Sequence, residues 1–97
     1  MKHRIEIKEL CQSNNISSKE QAELIIKEIQ NALELYLEVI LSFKGVTKIS
    51  CEVSSIIHNY ICDNKLENCI YFINTSEYIR QVLHYGPYIY KKQTKKK

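Results

Sequence analysis

The stretch that constrains this chain most is Ser17 to Phe43, SSKEQAELIIKEIQNALELYLEVILSF. Ala22, Ile29, Tyr36 and Phe43 recur every seven residues, Ile25, Ala32 and Val39 form a second row, and Ile26, Leu33 and Ile40 a third. Rows three and four apart merge into one wide apolar stripe, the pattern of a helix lying on a core. Ser17 with Glu20 three residues on reads as a capping box at its start. Gly45 suits a left-handed stop at its end. The spacing therefore predicts one helix of roughly 40 Å, at 1.5 Å per residue. Its second half carries Leu35, Leu37 and Leu41 off the stripe, so that half is apolar nearly all round. Such a helix needs partners on more than one side, and these three leucines are the expected oligomer interface.

On either side the patterns change. In residues 3–12, Ile5 and Ile7 alternate with charges as in a short strand, whereas Ile7, Leu10 and Cys11 fit one helical face. The good helix formers Lys8, Glu9 and Leu10 favour a helix, joined by a Ser13-Asn14-Asn15 turn to the long one. After Gly45, Thr47, Ile49, Cys51 and Val53 alternate with polar residues, the period of a half-buried strand. Val53, Ile56, Ile57, Tyr60 and Ile61 match helical spacing, but the segment is rich in β-branched and aromatic residues. Asp63-Asn64 is turn chemistry between two apolar runs, so a hairpin is expected over 54–73. Asn74 and Glu77 mark the start of a last helix with the stripe Tyr78, Ile79, Val82 and Leu83, stopped by Gly86-Pro87. The expected fold is α+β: an N-terminal helical hairpin with one long helix, a three-stranded antiparallel β-meander, a C-terminal helix and a basic tail. Residues 1–90 form a single globular domain and 91–97 the tail.

Composition narrows the function. Ninety-seven residues, 44% hydrophobic with two Gly and one Pro, describe one ordered domain. There is no run of eighteen apolar residues, and MKHRIEIKELCQ lacks the apolar centre of a signal peptide, so no membrane span and a cytoplasmic location are expected. The four cysteines, at 11, 51, 62 and 69, contain no CxxC pair. His58 and Cys62 would share a helical face, with Cys69 and His84 as further candidate ligands, but no metal template fits, and ordinary reduced thiols are expected. There is no Gly-rich phosphate loop, HExxH or nucleophile elbow, so neither a cofactor nor catalytic residues are expected, and the chain reads as a non-enzyme.

Charge is lopsided. Residues 1–77 carry eight Lys/Arg against eleven Asp/Glu, while residues 78–97 carry six Lys/Arg and no acid. An acidic body with a basic end suits a polyanion. The leading expectation is a dimeric nucleic-acid-binding protein whose tail residues Lys91, Lys92, Lys95, Lys96 and Lys97, with Lys48, Arg80 and His84, contact phosphates. The alternative is a protein-interaction module, an adaptor or inhibitor, using the apolar helix and the seven tyrosines.

Two short resemblances point the same way as the charge. ISSKEQAELI resembles the start of the second helix of the HU/IHF histone-like proteins, and FINTSEYIRQVL resembles their junction between strand and last helix. The Arg-rich arm of that family has no counterpart here. SEYIRQVL also resembles the start of the second helix of ribbon-helix-helix repressors, and TKISCEV their groove-entering strand. That likeness implies base contacts from Lys48, Ser50 and Glu52. Both families are dimeric DNA binders.

Overall fold

The computed structural model describes the backbone of residues 2–95 and the side chains of residues 2–88. The chain opens with strand β1 (Lys2–Glu6) and passes at once into the short helix α1 (Ile7–Cys11). The two patterns that compete in residues 3–12 are therefore both real, one after the other. A two-residue strand β2 (Asn15–Ile16) leads to helix α2 (Lys19–Leu33). Strands β3 (Glu38–Ser42) and β4 (Lys48–Ile49) follow, then helix α3 (Cys51–Asp63), strand β5 (Ile70–Ile73) and helix α4 (Glu77–Lys95).

The expected single long helix is two elements. Ser18, not Ser17, caps α2: its hydroxyl accepts from the Gln21 N–H at 3.1 Å, and the Gln21 side chain accepts in return from the Ser18 N–H at 3.0 Å. Ala22, Ile25, Ile29 and Ala32 are buried along α2, as the stripe predicts. The helix ends at Leu33, and LEVILSF becomes the centre of a sheet. Val39 and Leu41, two apart, are buried together on one face of β3, and this two-residue period overrides the heptad spacing. Leu41 is accordingly fully buried in β3 and offers nothing to a partner, whereas Leu35 and Leu37 in the α2–β3 connection are 79% and 78% exposed. Gly45, with φ of +81°, serves a tight turn after β3 instead of a helix end.

The expected antiparallel meander is also corrected. β1, β3 and β5 form a parallel sheet in that spatial order, with Lys2 beside Glu38, Ile5 beside Leu41, Leu41 beside Phe72, and Val39 beside Ile70. Residues 54–61 are helical, the spacing of Val53, Ile57 and Ile61 winning over β-propensity. Ser50 initiates that helix by accepting from the Val53 N–H at 3.1 Å. Asp63-Asn64 closes α3 where a hairpin turn is expected, with the Asn64 side chain bonded to the Tyr60 carbonyl at 2.8 Å. A parallel sheet built through helical crossovers also leaves neither DNA-binding resemblance a structural basis, since the expected meander is absent and only Lys48–Ile49 of TKISCEV is strand.

Parallel neighbours joined by right-handed crossovers in one direction carry their helices on one face. α2 and α3 pack on each other there, and α4 packs on α3. Beneath them Ile5, Val39, Leu41 and Ile70 are buried, together with Phe43 and Ile79. The other face of the sheet carries Lys2, Arg4, Glu38, Ile40 and Tyr71. β2 pairs in parallel with β4, holding the start of α2 beside the start of α3 and burying Ile16 and Ile49.

The last helix differs from expectation at both ends. Asn74 has a left-handed φ of +57°, and Ser76 caps the helix by accepting from the Ile79 N–H at 3.1 Å. Pro87 lies inside α4, where it withholds the hydrogen bond that the Leu83 carbonyl would accept. The helix nevertheless continues, because this stretch is clamped from outside. Ser54 Oγ donates to the Val82 carbonyl at 2.9 Å. Gly86 is buried against Ser54, where an added Cβ would come within 3.1 Å of the serine side chain.

Candidate interaction groove beside β5

β5 is one edge of the sheet, and among the described residues no strand pairs with its outer side. The carbonyls of Cys69 and Ile73 accept from Val39 and Phe43 of the central strand at 2.8 and 3.0 Å. Backbone groups alternate along a strand, so those of Ile70 and Phe72 point away from β3. Among the described residues no hydrogen bond reaches the Phe72 N–H or carbonyl. Phe72 is 40% exposed, its ring edge-on to buried Phe43 at 5.8 Å.

Two hollows run along this edge and share Phe72 and Leu83. One, of about 210 Å³, lies among Ile57, His58, Ile61 and Cys62 of α3, Ile70 and Phe72 of β5, and Leu83 of α4, with Glu67 and Ser54 at its margin. The other, of about 320 Å³, is bounded by Phe72, Thr75, Arg80, Leu83 and His84. The groove is thus apolar in its walls and polar at its ends. Glu67 stands toward the N-terminal end of β5, and Arg80 and His84 toward the C-terminal end. α3 places the wall residues because Ile57 and Ile61, four apart, share one helical face. α4 does the same for Arg80 and His84.

Cys62 Sγ lies 3.6 Å from His58 Nε2, as their spacing on a helix requires. No group of three or more His, Cys, Asp or Glu placed to hold a metal occurs among the described residues. The Cys11 thiol is different in character: burial raises its pKa, and it lies 4.0 Å from the Gln21 carbonyl.

A third hollow, of about 390 Å³, opens at the C-terminal ends of β1 and β3 between Arg4, Glu6, Lys8, Glu9, Lys44 and Gly45. Of its lining, Arg4 donates to the hydroxyl of buried Ser42 at 3.3 Å, which also accepts from Asn74 at 3.1 Å. A hydrogen bond from Ser42, working against partial burial and aided by Arg4, lowers the pKa of the Glu6 carboxyl below the ordinary carboxylate value. Arg4 Nε sits 2.6 Å from that carboxylate. The hollow is wide and its charges are of both signs, so it favours neither anions nor cations.

Of the expected contact residues, the structure brings Arg80 and His84 together. Lys48 is exposed on β4, away from the groove lining. Lys91, Lys92 and Lys95 fall on the backbone of α4 with side chains outside the described residues, and Lys96 and Lys97 lie outside them altogether. Ile57, Ile61, Cys62, Phe72 and Leu83 were not expected to form a site. Their signal was the charge-free strand IYFI, whose position at an edge the sequence does not reveal.

The chain matches no protein-family model, no curated protein and no solved structure. No helix among the described residues is long and apolar enough to cross a membrane.

Proposed function

We propose that this chain is a non-enzymatic protein-interaction module that engages its partner at the β5 side. The observation that carries this reading is the concentration of exposed apolar side chains there. Of the eight large hydrophobic residues exposed among those described, Tyr71, Phe72, Tyr78, Tyr85 and Tyr88 all belong to β5 and α4. Phe72 lines the groove itself, and Tyr71 lies on the opposite face of the same strand. Exposed apolar surface gathered on neighbouring elements is characteristic of interaction sites. Four cysteines outside any disulfide fit an intracellular, reducing setting. A photoreactive phenylalanine analogue at position 72 should crosslink in cells to a discrete protein, while the same analogue at exposed position 20 on α2 should not. Equal crosslinking from both positions overturns the reading.

A nucleic-acid role has one observation in its favour. Because α4 continues past Pro87 to Lys95, positions 80, 84, 88, 91 and 95 share one helical face, and four of the five are Arg, His or Lys. Deleting residues 91–97 would then weaken binding at 50 mM salt and flatten a salt dependence of about 0.9 log units per phosphate contacted. Leu35 and Leu37 offer a separate contact suited to a homodimer. Leu37→Glu would then lower the sedimentation coefficient of the wild-type chain at micromolar concentration.

A further inference from the structure

We propose that the groove beside β5 receives an extended segment of a partner protein as a fourth, parallel strand, with apolar side chains at alternate positions and an acidic residue at its C-terminal end. The inference rests on the protein-interaction reading and adds the mode of binding and the chemistry of the partner.

Three observations combine. The Phe72 N–H and carbonyl face outward at the spacing of a ladder rung, so an added strand gains two main-chain hydrogen bonds without disturbing β3. The hollow beside them has walls of Ile57, Ile61 and Leu83 and a volume of about 210 Å³. That is below the roughly 300–1,000 Å³ of small-molecule sites, and it suits a side chain delivered by a strand. Every second residue of such a strand points to the same face, which gives the alternating requirement.

Charge sets the chemistry of each end, and a chain-terminal carboxylate reaches Arg80 only from a parallel strand. Arg80 and His84 flank the end of the groove near Thr75, and Glu67 flanks the end near Ile70. A strand running parallel to β5 brings its C-terminal side to Arg80 and His84, where an Asp, a Glu or a terminal carboxylate is complementary. Its N-terminal side meets Glu67. A second copy of this chain fits less well. Twofold pairing of β5 with itself would bring another α4 to a side of the sheet already lined by α4, whereas one strand needs only the interstrand spacing of about 4.8 Å.

The probe is a phage-displayed library of random heptapeptides selected on the purified full-length chain. Selected peptides should show apolar residues two apart followed by Asp or Glu. Adding the synthesised peptide should slow hydrogen exchange at the Phe72 amide. Alkylating Cys62 with a bulky maleimide should block binding, and the exposed pair Arg80→Glu with His84→Glu should weaken it on the order of tenfold. Phe72→Pro removes the outward donor but no β3 ladder bond and should also abolish binding. If selected peptides lack the alternation, or bind without protecting Phe72, strand addition is wrong even where crosslinking at position 72 upholds the interaction module. Protection of Phe72 in the free chain that rises with protein concentration identifies a second copy as the occupant and overturns the proposal.

Discussion

The two edges of the sheet are built from opposite chemistry. β1 reads Lys-His-Arg-Ile-Glu, so three of its five residues are charged, and each charge has a local partner. Lys2 stands 3.9 Å from Glu38, Arg4 pairs with Glu6, and His3 stacks on Tyr36 with ring centroids 4.9 Å apart. β5 reads Ile-Tyr-Phe-Ile, with no charge at all. Charged residues on an edge discourage another strand from docking, and a bare apolar edge invites one. The same sheet is closed to strand addition on one side and open on the other. An edge left unguarded in a chain that guards its other edge is what supports the proposed binding at β5.

The largest expected effects lie beneath both edges. Leu41→Ala in the central strand should cost roughly 2–5 kcal/mol by urea denaturation, because the site is closed on all sides. Ile5→Ala and Ile70→Ala, at buried positions of the two edge strands, should each fall in the same range. A much smaller loss at Ile70 would mean that β5 is held loosely and that its edge is a frayed end.

Phe72→Lys should make the β5 edge resemble β1. Crosslinking and peptide capture should fall steeply, while stability changes by no more than about 1 kcal/mol, since Phe72 is already partly exposed. In the reverse experiment, Arg4→Val with Glu6→Val should leave the fold in place but make the chain self-associate, read as a rise in light scattering with concentration.

The smallest effect is a pH dependence specific to β1. The carboxyl of Glu6 has a lower pKa folded than unfolded, so it stabilises the fold above its unfolded value, about 4.3. That contribution fades as pH falls through the lower folded value. Glu6→Gln should therefore lose stability at pH 7 and match the wild type in strong acid, by urea midpoints. No such difference is expected from substitutions in β5, which has no carboxylate.

What could be read from the residues depended on whether local and tertiary demands agreed. The core face of α2 was legible from Ala22, Ile25 and Ile29, since helix period and burial coincide there. β5 was legible as a strand but not as an edge. LEVILSF reads as helix because Val39 and Ile40 also fall on the helical rows, which hides the two-residue period of the buried pair Val39 and Leu41. Residues 54–61 were misread for the converse reason: β-branched side chains were weighed above a four-residue period that packing enforces. Pro87 misled as a stop because the residues that hold α4 together around it, Ser54 and Gly86, are far apart in sequence. For the site, Arg80 and His84 were found by charge, but the groove walls come from three elements that only the fold assembles.

Spatial order equal to chain order has a consequence for how the molecule is made. Closing β1 on β3 spans 36 residues, Lys2 to Glu38, and closing β3 on β5 spans 31, Val39 to Ile70. Loop-closure entropy differs between them by only about 0.1 kcal/mol, so neither ladder leads on that ground. Synthesis breaks the tie. β1, α2 and β3 are all complete once residue 42 has been added, whereas β5 follows after roughly 2–6 s at ribosomal rates. For that interval the outer side of β3, the strand that carries the fully buried Val39 and Leu41, is the free edge of the nascent sheet. The arrival of β5 covers it and moves the open edge outward by one strand, from a segment the fold must hide to one that a partner can read.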